Sequence, residues 1–120
     1  MRGALLAFLP LGLWAAAVLA IGSLELGGVA SLPAGADKAA HFALYGVGGL
    51  CAVWAHRVRG RRAGLAGLMA VLLTGLVDEL HQGTLPTRQS DFWDWAADAA
   101  GAGSVFLAVR ALLPERDRSR

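Results

Sequence analysis

Three short stretches of this 120-residue chain hold most of the side chains able to move protons, bind ions or grip a polar ligand. They are Asp37-Lys38-x-x-His41-x-x-x-Tyr45, then Asp78-Glu79-Leu80-His81-Gln82, then Asp91, Asp94 and Asp98; Arg88 lies between the last two. Carboxylates beside imidazoles suit general acid–base chemistry, because crowded like charges push one carboxyl toward neutrality. In that reading Glu79 or His81 is the candidate base and Asp94 or Asp98 the partner acid. The same groups suit a divalent cation. Asp78, Glu79, His81, Asp94 and Asp98 offer oxygen and nitrogen ligands whose repulsion an ion would offset. Asp37, Lys38, His41, Tyr45, Gln82 and Arg88 are candidates for orienting a ligand. Arg88 either neutralises its acidic neighbours or binds an anionic group.

The elements that carry these residues are apolar. Hydrophobic residues make up 56% of the chain and charged residues 17%, against about 25% charge in a soluble domain. That composition excludes a disordered chain. Cys51 is the only cysteine, which excludes a disulfide scaffold and a zinc ribbon. The length allows one domain, residues 1–120. A helix crossing the hydrocarbon needs about 20 residues. Ala4 to Leu24 carries no charge at all, Lys38 to His56 is polar only near its ends, and Ala63 to Val77 and Ala99 to Leu113 are further apolar runs. The expectation is an all-α, polytopic membrane four-helix bundle with helices over 4–24, 38–56, 63–82 and 92–113. The first run exceeds a signal-peptide core of about 7–15 residues and reads as a retained helix.

Basic residues set the orientation. Arg2, Arg57, Arg59, Arg61, Arg62, Arg110, Arg116, Arg118 and Arg120 all flank one side, and only Lys38 and Arg88 flank the other. By the positive-inside rule both termini and the arginine-rich link are cytoplasmic. No aromatic residue interleaves that link, so it reads as a topology signal touching anionic headgroups and not as a nucleic-acid site. Glu25, Asp37, Asp78, Glu79, Asp91, Asp94 and Asp98 fall on the outer side; Glu115 and Asp117 fall inside.

The third and fourth apolar runs are each too short to cross alone. The third must borrow Asp78 to Gln82, and the fourth must start early enough to include Asp94 and Asp98. Asp37, His41 and Tyr45 share one helix face, as do Asp91, Asp94 and Asp98. Such groups cost about 2.5–3.5 kcal/mol each at a helix centre, so they should face one another or water. Asp37 and Asp91 (or Ser90) also suit N-caps. Asp98, His41 and Tyr45 lie too deep for capping. Trp93 and Trp95 suit interfacial anchors, whereas Trp14 and Trp54 suit packing or lipid-facing positions. The glycines of the last three runs suit close helix packing.

The ordered set Asp37-Lys38-x-x-His41-Phe42-x-x-Tyr45, Asp78-Glu79-Leu80-His81-Gln82, Pro86-x-Arg88 and Asp94-x-x-x-Asp98-x-x-Gly101 resembles the VanZ-like family. The family is named for a small membrane protein linked to teicoplanin resistance. The resemblance implies a bacterial cytoplasmic-membrane protein of four helices with a polar site facing the cell wall. Two positions depart from it: the family usually has Asn at Asp98 and often Gly at Thr87. The extra acid at Asp98 favours a protonated or cation-bound carboxyl.

Three functions follow as expectations. The first is binding or modification of an envelope lipid or cell-wall precursor, in a glycopeptide-resistance-like role. The second is a structural or partner-binding membrane module whose polar cluster holds the bundle together. The third is transport or proton relay, which the apolar inner halves of the helices disfavour.

Overall fold

The computed structural model describes residues 2–24 and 33–113. Glu25, Glu115, Arg116, Asp117, Arg118 and Arg120, assigned to the two sides above, lie outside the described residues. Four helices, α1 (Arg2–Gly22), α2 (Ala36–Arg59), α3 (Arg61–Gln82) and α4 (Phe92–Leu112), make up the fold, with no strand among the described residues. At 1.5 Å per residue, 21 residues give about 32 Å of helix, close to the hydrocarbon thickness. By length and apolarity α1 and α3 could each cross a membrane. α2 and α4 do not pass that measure.

The helices run alternately up and down, so α1 and α3 are parallel to each other, as are α2 and α4. α2 and α3 each pack against all three other helices, and α1 does not meet α4. Arg2, Arg57, Arg59, Arg61, Arg62 and Arg110 collect at one end of the bundle. Asp37, Lys38, Asp78, Glu79, Asp91 and Asp94 collect at the other.

A single residue joins α2 to α3. Gly60 adopts φ 87° and ψ −174°, a region open essentially to glycine alone. Two antiparallel helices leaving one residue must stay level, so positions equally far from Gly60 along the chain face each other. His56 abuts Gly64, and an added Cβ at Gly75 would lie 3.0 Å from the Tyr45 ring. By the same count His41 and Glu79, each nineteen residues from Gly60, stand at one height.

On α3 and α4 small residues dominate the buried face, and large apolar ones cover the outside. The buried face of α3 is Gly64, Gly67, Val71, Gly75, Asp78, Glu79 and Gln82. Its Leu65, Met69, Leu73, Leu76, Val77 and Leu80 are exposed. On α4 the buried residues are Asp98, Gly101, Ala102 and Phe106, while Phe92, Trp93, Leu107 and Leu112 face out. Gly101 lies against the Phe42 carbonyl, and Gly49 against the backbone of Ala102, so α2 and α4 approach backbone to backbone. Trp14 is a packing residue: it covers Gly48, meets the Tyr45 ring edge-on at 5.2 Å and donates to the Leu44 carbonyl at 3.0 Å.

Pro10 sits inside α1 and has no N–H for the carbonyl one turn back, that of Leu6. The indole Nε1–H of Trp54 donates to that carbonyl at 3.0 Å. A helix on the neighbouring strand of the bundle thus supplies the bond that proline removes.

Candidate functional site

The polar groups form tiers down the α2–α4 contact, with α3 closing the side. The outermost is centred on Lys38. Its Nζ donates to Asp37 Oδ2 at 3.1 Å, Asp91 Oδ2 at 3.0 Å and Asp94 Oδ1 at 3.0 Å. An ammonium has three donors, so all are in use. Asp91 is also the N-cap of α4, its Oδ1 accepting the Trp93 N–H at 2.8 Å. That N–H first, and the Lys38 ammonium second, hold the Asp91 carboxyl below the ordinary carboxylate value.

One turn deeper, His41 Nδ1–H donates to Asp98 Oδ1 at 2.8 Å, and His41 Nε2 lies 3.8 Å from Asp94 Oδ2. Asp98 is completely buried. Glu79 enters this tier from α3. Its Oε2 accepts the backbone N–H of Asp91 at 3.0 Å and so ties the start of α4 to the end of α3. Glu79 Oε1 and Asp98 Oδ2 are buried without a hydrogen-bond partner. One ligand atom each from His41, Glu79 and Asp98 lies within 4.8 Å of the others, the one such group of three among the described residues.

A further turn down is Tyr45, fully buried, its ring nearly parallel to His41 at 6.4 Å. Its hydroxyl has no hydrogen-bond partner. Gly75 leaves the room that Tyr45, Asp98 and Trp95 occupy; a Cβ there would meet Asp98 Oδ2 at 3.1 Å.

The remaining candidates face elsewhere. Gln82 donates to Asp78 Oδ2 at 2.9 Å, and the other oxygen of that buried carboxyl rests against Gly22 of α1. Ser23 spends its one hydroxyl hydrogen on the Leu19 carbonyl at 2.7 Å, so at 3.2 Å it is His81 Nε2–H that donates to Ser23 Oγ. His81 thus lies on the α1 side, while Asp78 stands between α1 and the tiers, near enough to interact with Tyr45, His41 and Asp98. Of the five proposed metal ligands only Glu79 and Asp98 enter the compact trio, and His41, taken from sequence as a ligand-orienting residue, completes it. Arg88 makes no side-chain hydrogen bond or ion pair among the described residues. Trp93 is exposed, as an anchor should be. Trp95 instead turns inward and donates to the Leu72 carbonyl at 3.3 Å.

Two residues at the site were given other roles from sequence, Gly75 as a packing glycine and Trp95 as an interfacial anchor. The signal for Gly75 was available, since it is as far from Gly60 as Tyr45 is.

The arrangement offers a half-buried histidine paired with a buried carboxylate, a second carboxylate with one uncommitted oxygen, and a cation-centred rim above them. It can exchange protons, hold an ion, or meet a polar group entering from the open-loop end. No family model matches the chain, and no curated protein or solved structure matches it.

Proposed function

We propose that the chain is a polytopic membrane protein whose four helices all cross the bilayer, with both termini cytoplasmic. Its polar site then opens at the outer face and binds or modifies an amphipathic envelope molecule, a lipid headgroup or a cell-wall precursor. The carrying observation is the distribution of side chains: most leucines, Met69, Phe42, Trp54, Phe92 and Trp93 lie outside, while glycines, alanines and carboxylates lie inside around Trp14, Tyr45 and Phe106. A soluble monomer rarely exposes an apolar surface so continuous, whereas lipid-embedded helices pack through small residues. Only 22% of the most apolar stretch of α1 and 33% of that of α3 is buried, which argues against core helices of a soluble domain. The segregation of arginines to one end and acids to the other supports the orientation. Of the charges on α2 and α4, Asp98 is completely buried and Asp94 largely so, where lipid does not meet them, while Asp37 and Arg59 are exposed at the two ends of α2. The resemblance to the VanZ-like family supports the substrate class and a role in glycopeptide resistance.

The test is expression of the wild-type chain and a Glu79→Gln/Asp94→Asn variant in a teicoplanin-sensitive bacterium, with membrane levels measured in both. The expected result is raised tolerance that the variant loses at equal membrane abundance. Full activity in the variant overturns the reading. Saturation of Lys38 by three carboxylates favours a second reading, in which the cluster only holds helices together. Loss of folded protein in the variant, instead of loss of tolerance alone, selects that one.

A further inference from the structure

We propose that His41, Glu79 and Asp98 form a site for one divalent transition-metal cation, with Asp94 as its outer-shell partner. Each ligand comes from a different helix, and the three candidate ligand atoms already lie within 4.8 Å of one another. At bond lengths near 2.0–2.2 Å, ligands around one tetrahedral ion lie about 3.3–3.6 Å apart, so closing the site brings the farthest pair together by up to about 1.5 Å.

The second observation is the state of the oxygens. Glu79 is 3% exposed and Asp98 0%, yet Glu79 Oε1 and Asp98 Oδ2 are buried with no hydrogen-bond partner. A buried carboxylate oxygen without a partner is costly, and this trio holds two of them. The ammonium of the rim cannot answer them. Lys38 has its three donors on Asp37, Asp91 and Asp94. A divalent ion supplies both the missing coordination and the missing charge.

The geometry assigns the nitrogen as well. His41 Nδ1 and Asp98 Oδ1 are 2.8 Å apart, close to the spacing of two adjacent ligands on one ion. In the ion-bound state the Nδ1 lone pair coordinates and the proton sits on Nε2. Nε2–H then turns to Asp94 Oδ2, now 3.8 Å away, giving the carboxylate–histidine–metal relay that orients ligating histidines. One imidazole with two carboxylates suits Zn²⁺ or Mn²⁺ better than Ca²⁺. Three protein ligands leave coordination positions open, as in catalytic rather than structural sites.

The experiment uses the full chain purified in detergent, stripped with EDTA and titrated with Zn²⁺ and, separately, Mn²⁺, with no lipid or precursor added. The expected result is about one ion retained per chain after gel filtration, by elemental analysis. Glu79→Gln and Asp98→Asn should each weaken binding more than tenfold, and Asp94→Asn by about tenfold with stoichiometry kept. His81→Ala should bind as the wild type does. Absence of a retained ion in folded wild type overturns the proposal, and so does wild-type affinity in both ligand variants. Should one ligand variant fail to fold, the wild-type stoichiometry and the Asp94→Asn shift still decide it. The cation assay contains no envelope molecule, so its failure leaves the proposed recognition role standing, and an inactive chain that retains the ion leaves the cation site standing.

Discussion

His41 and Asp98 are joined by a 2.8 Å hydrogen bond from Nδ1 to Oδ1, at a depth where Asp98 has no exposed surface. Among the described residues that bond is the one hydrogen bond of the Asp98 carboxyl, since its other oxygen has none. Breaking one side of a buried pair costs about 3–5 kcal/mol, because the remaining group keeps its desolvation penalty. His41→Ala should therefore destabilise the fold by about 3 kcal/mol, read from thermal unfolding in detergent. A His41→Ala/Asp98→Ala double variant should recover part of the loss. Strict additivity of the two single losses would show that the residues do not act as a pair.

The Trp54–Leu6 bond makes a second cycle. Trp54→Phe should cost about 1 kcal/mol, the usual net worth of a hydrogen bond. Restoring the helical N–H with Pro10→Ala gives the Leu6 carbonyl its own partner. The Trp54 substitution should then cost measurably less in the Pro10→Ala background, and an unchanged cost would separate the tryptophan from the proline.

Gly101 tests the close approach of α2 and α4. A methyl group there runs into the Phe42 carbonyl, which is backbone and cannot rotate aside. Gly101→Ala should cost about 1–3 kcal/mol. It should also loosen the contacts of Lys38 and His41 with α4, visible as faster hydrogen exchange at the start of that helix. Gly103→Ala, where nothing lies within 4 Å of an added Cβ, is the matched control and should be close to neutral.

Asp91 gives a pH prediction. Its carboxyl is held below the ordinary value of 3.8 by the Trp93 N–H and then by Lys38. A depressed folded value means that the stabilisation is present above 3.8 and is lost as pH falls through the folded value. Asn caps a helix but carries no charge. The melting temperature of wild type should exceed that of Asp91→Asn between pH 5 and 7 and converge with it below about pH 3.8. A constant gap across that range would assign the effect to shape alone.

Much of the fold was legible because apolar run lengths and an N-cap at Asp91 bound the helices. The expected 92–113 compares with Phe92–Leu112, and 63–82 with Arg61–Gln82. The shared face of Asp91, Asp94 and Asp98 was legible too, and Lys38 and His41 meet it. The division of Asp78 to Gln82 was not drawn from sequence, although helix geometry contains it. At 100° per residue, His81 and Gln82 return to the face of Asp78, and Glu79 points a quarter-turn away. α3 lies between α1 and α4, so one face meets Gly22 and Ser23 while the other meets Asp91. Which face met which neighbour depended on the packing order of the helices, and that is a tertiary fact.

The lone glycine between α2 and α3 makes the site a matter of counting. One alanine inserted in α3 between Val71 and Gly75 leaves His56 and Gly64 in contact but rotates everything beyond by about 100°. Glu79 would swing off its meeting point with His41, and Asp78 would take its bearing. Four inserted residues nearly restore the bearing yet lift Glu79 by about 6 Å, past His41 altogether. Length variation in this chain is therefore tolerable at the loop end and forbidden along the hairpin, where every added residue puts the two halves out of phase.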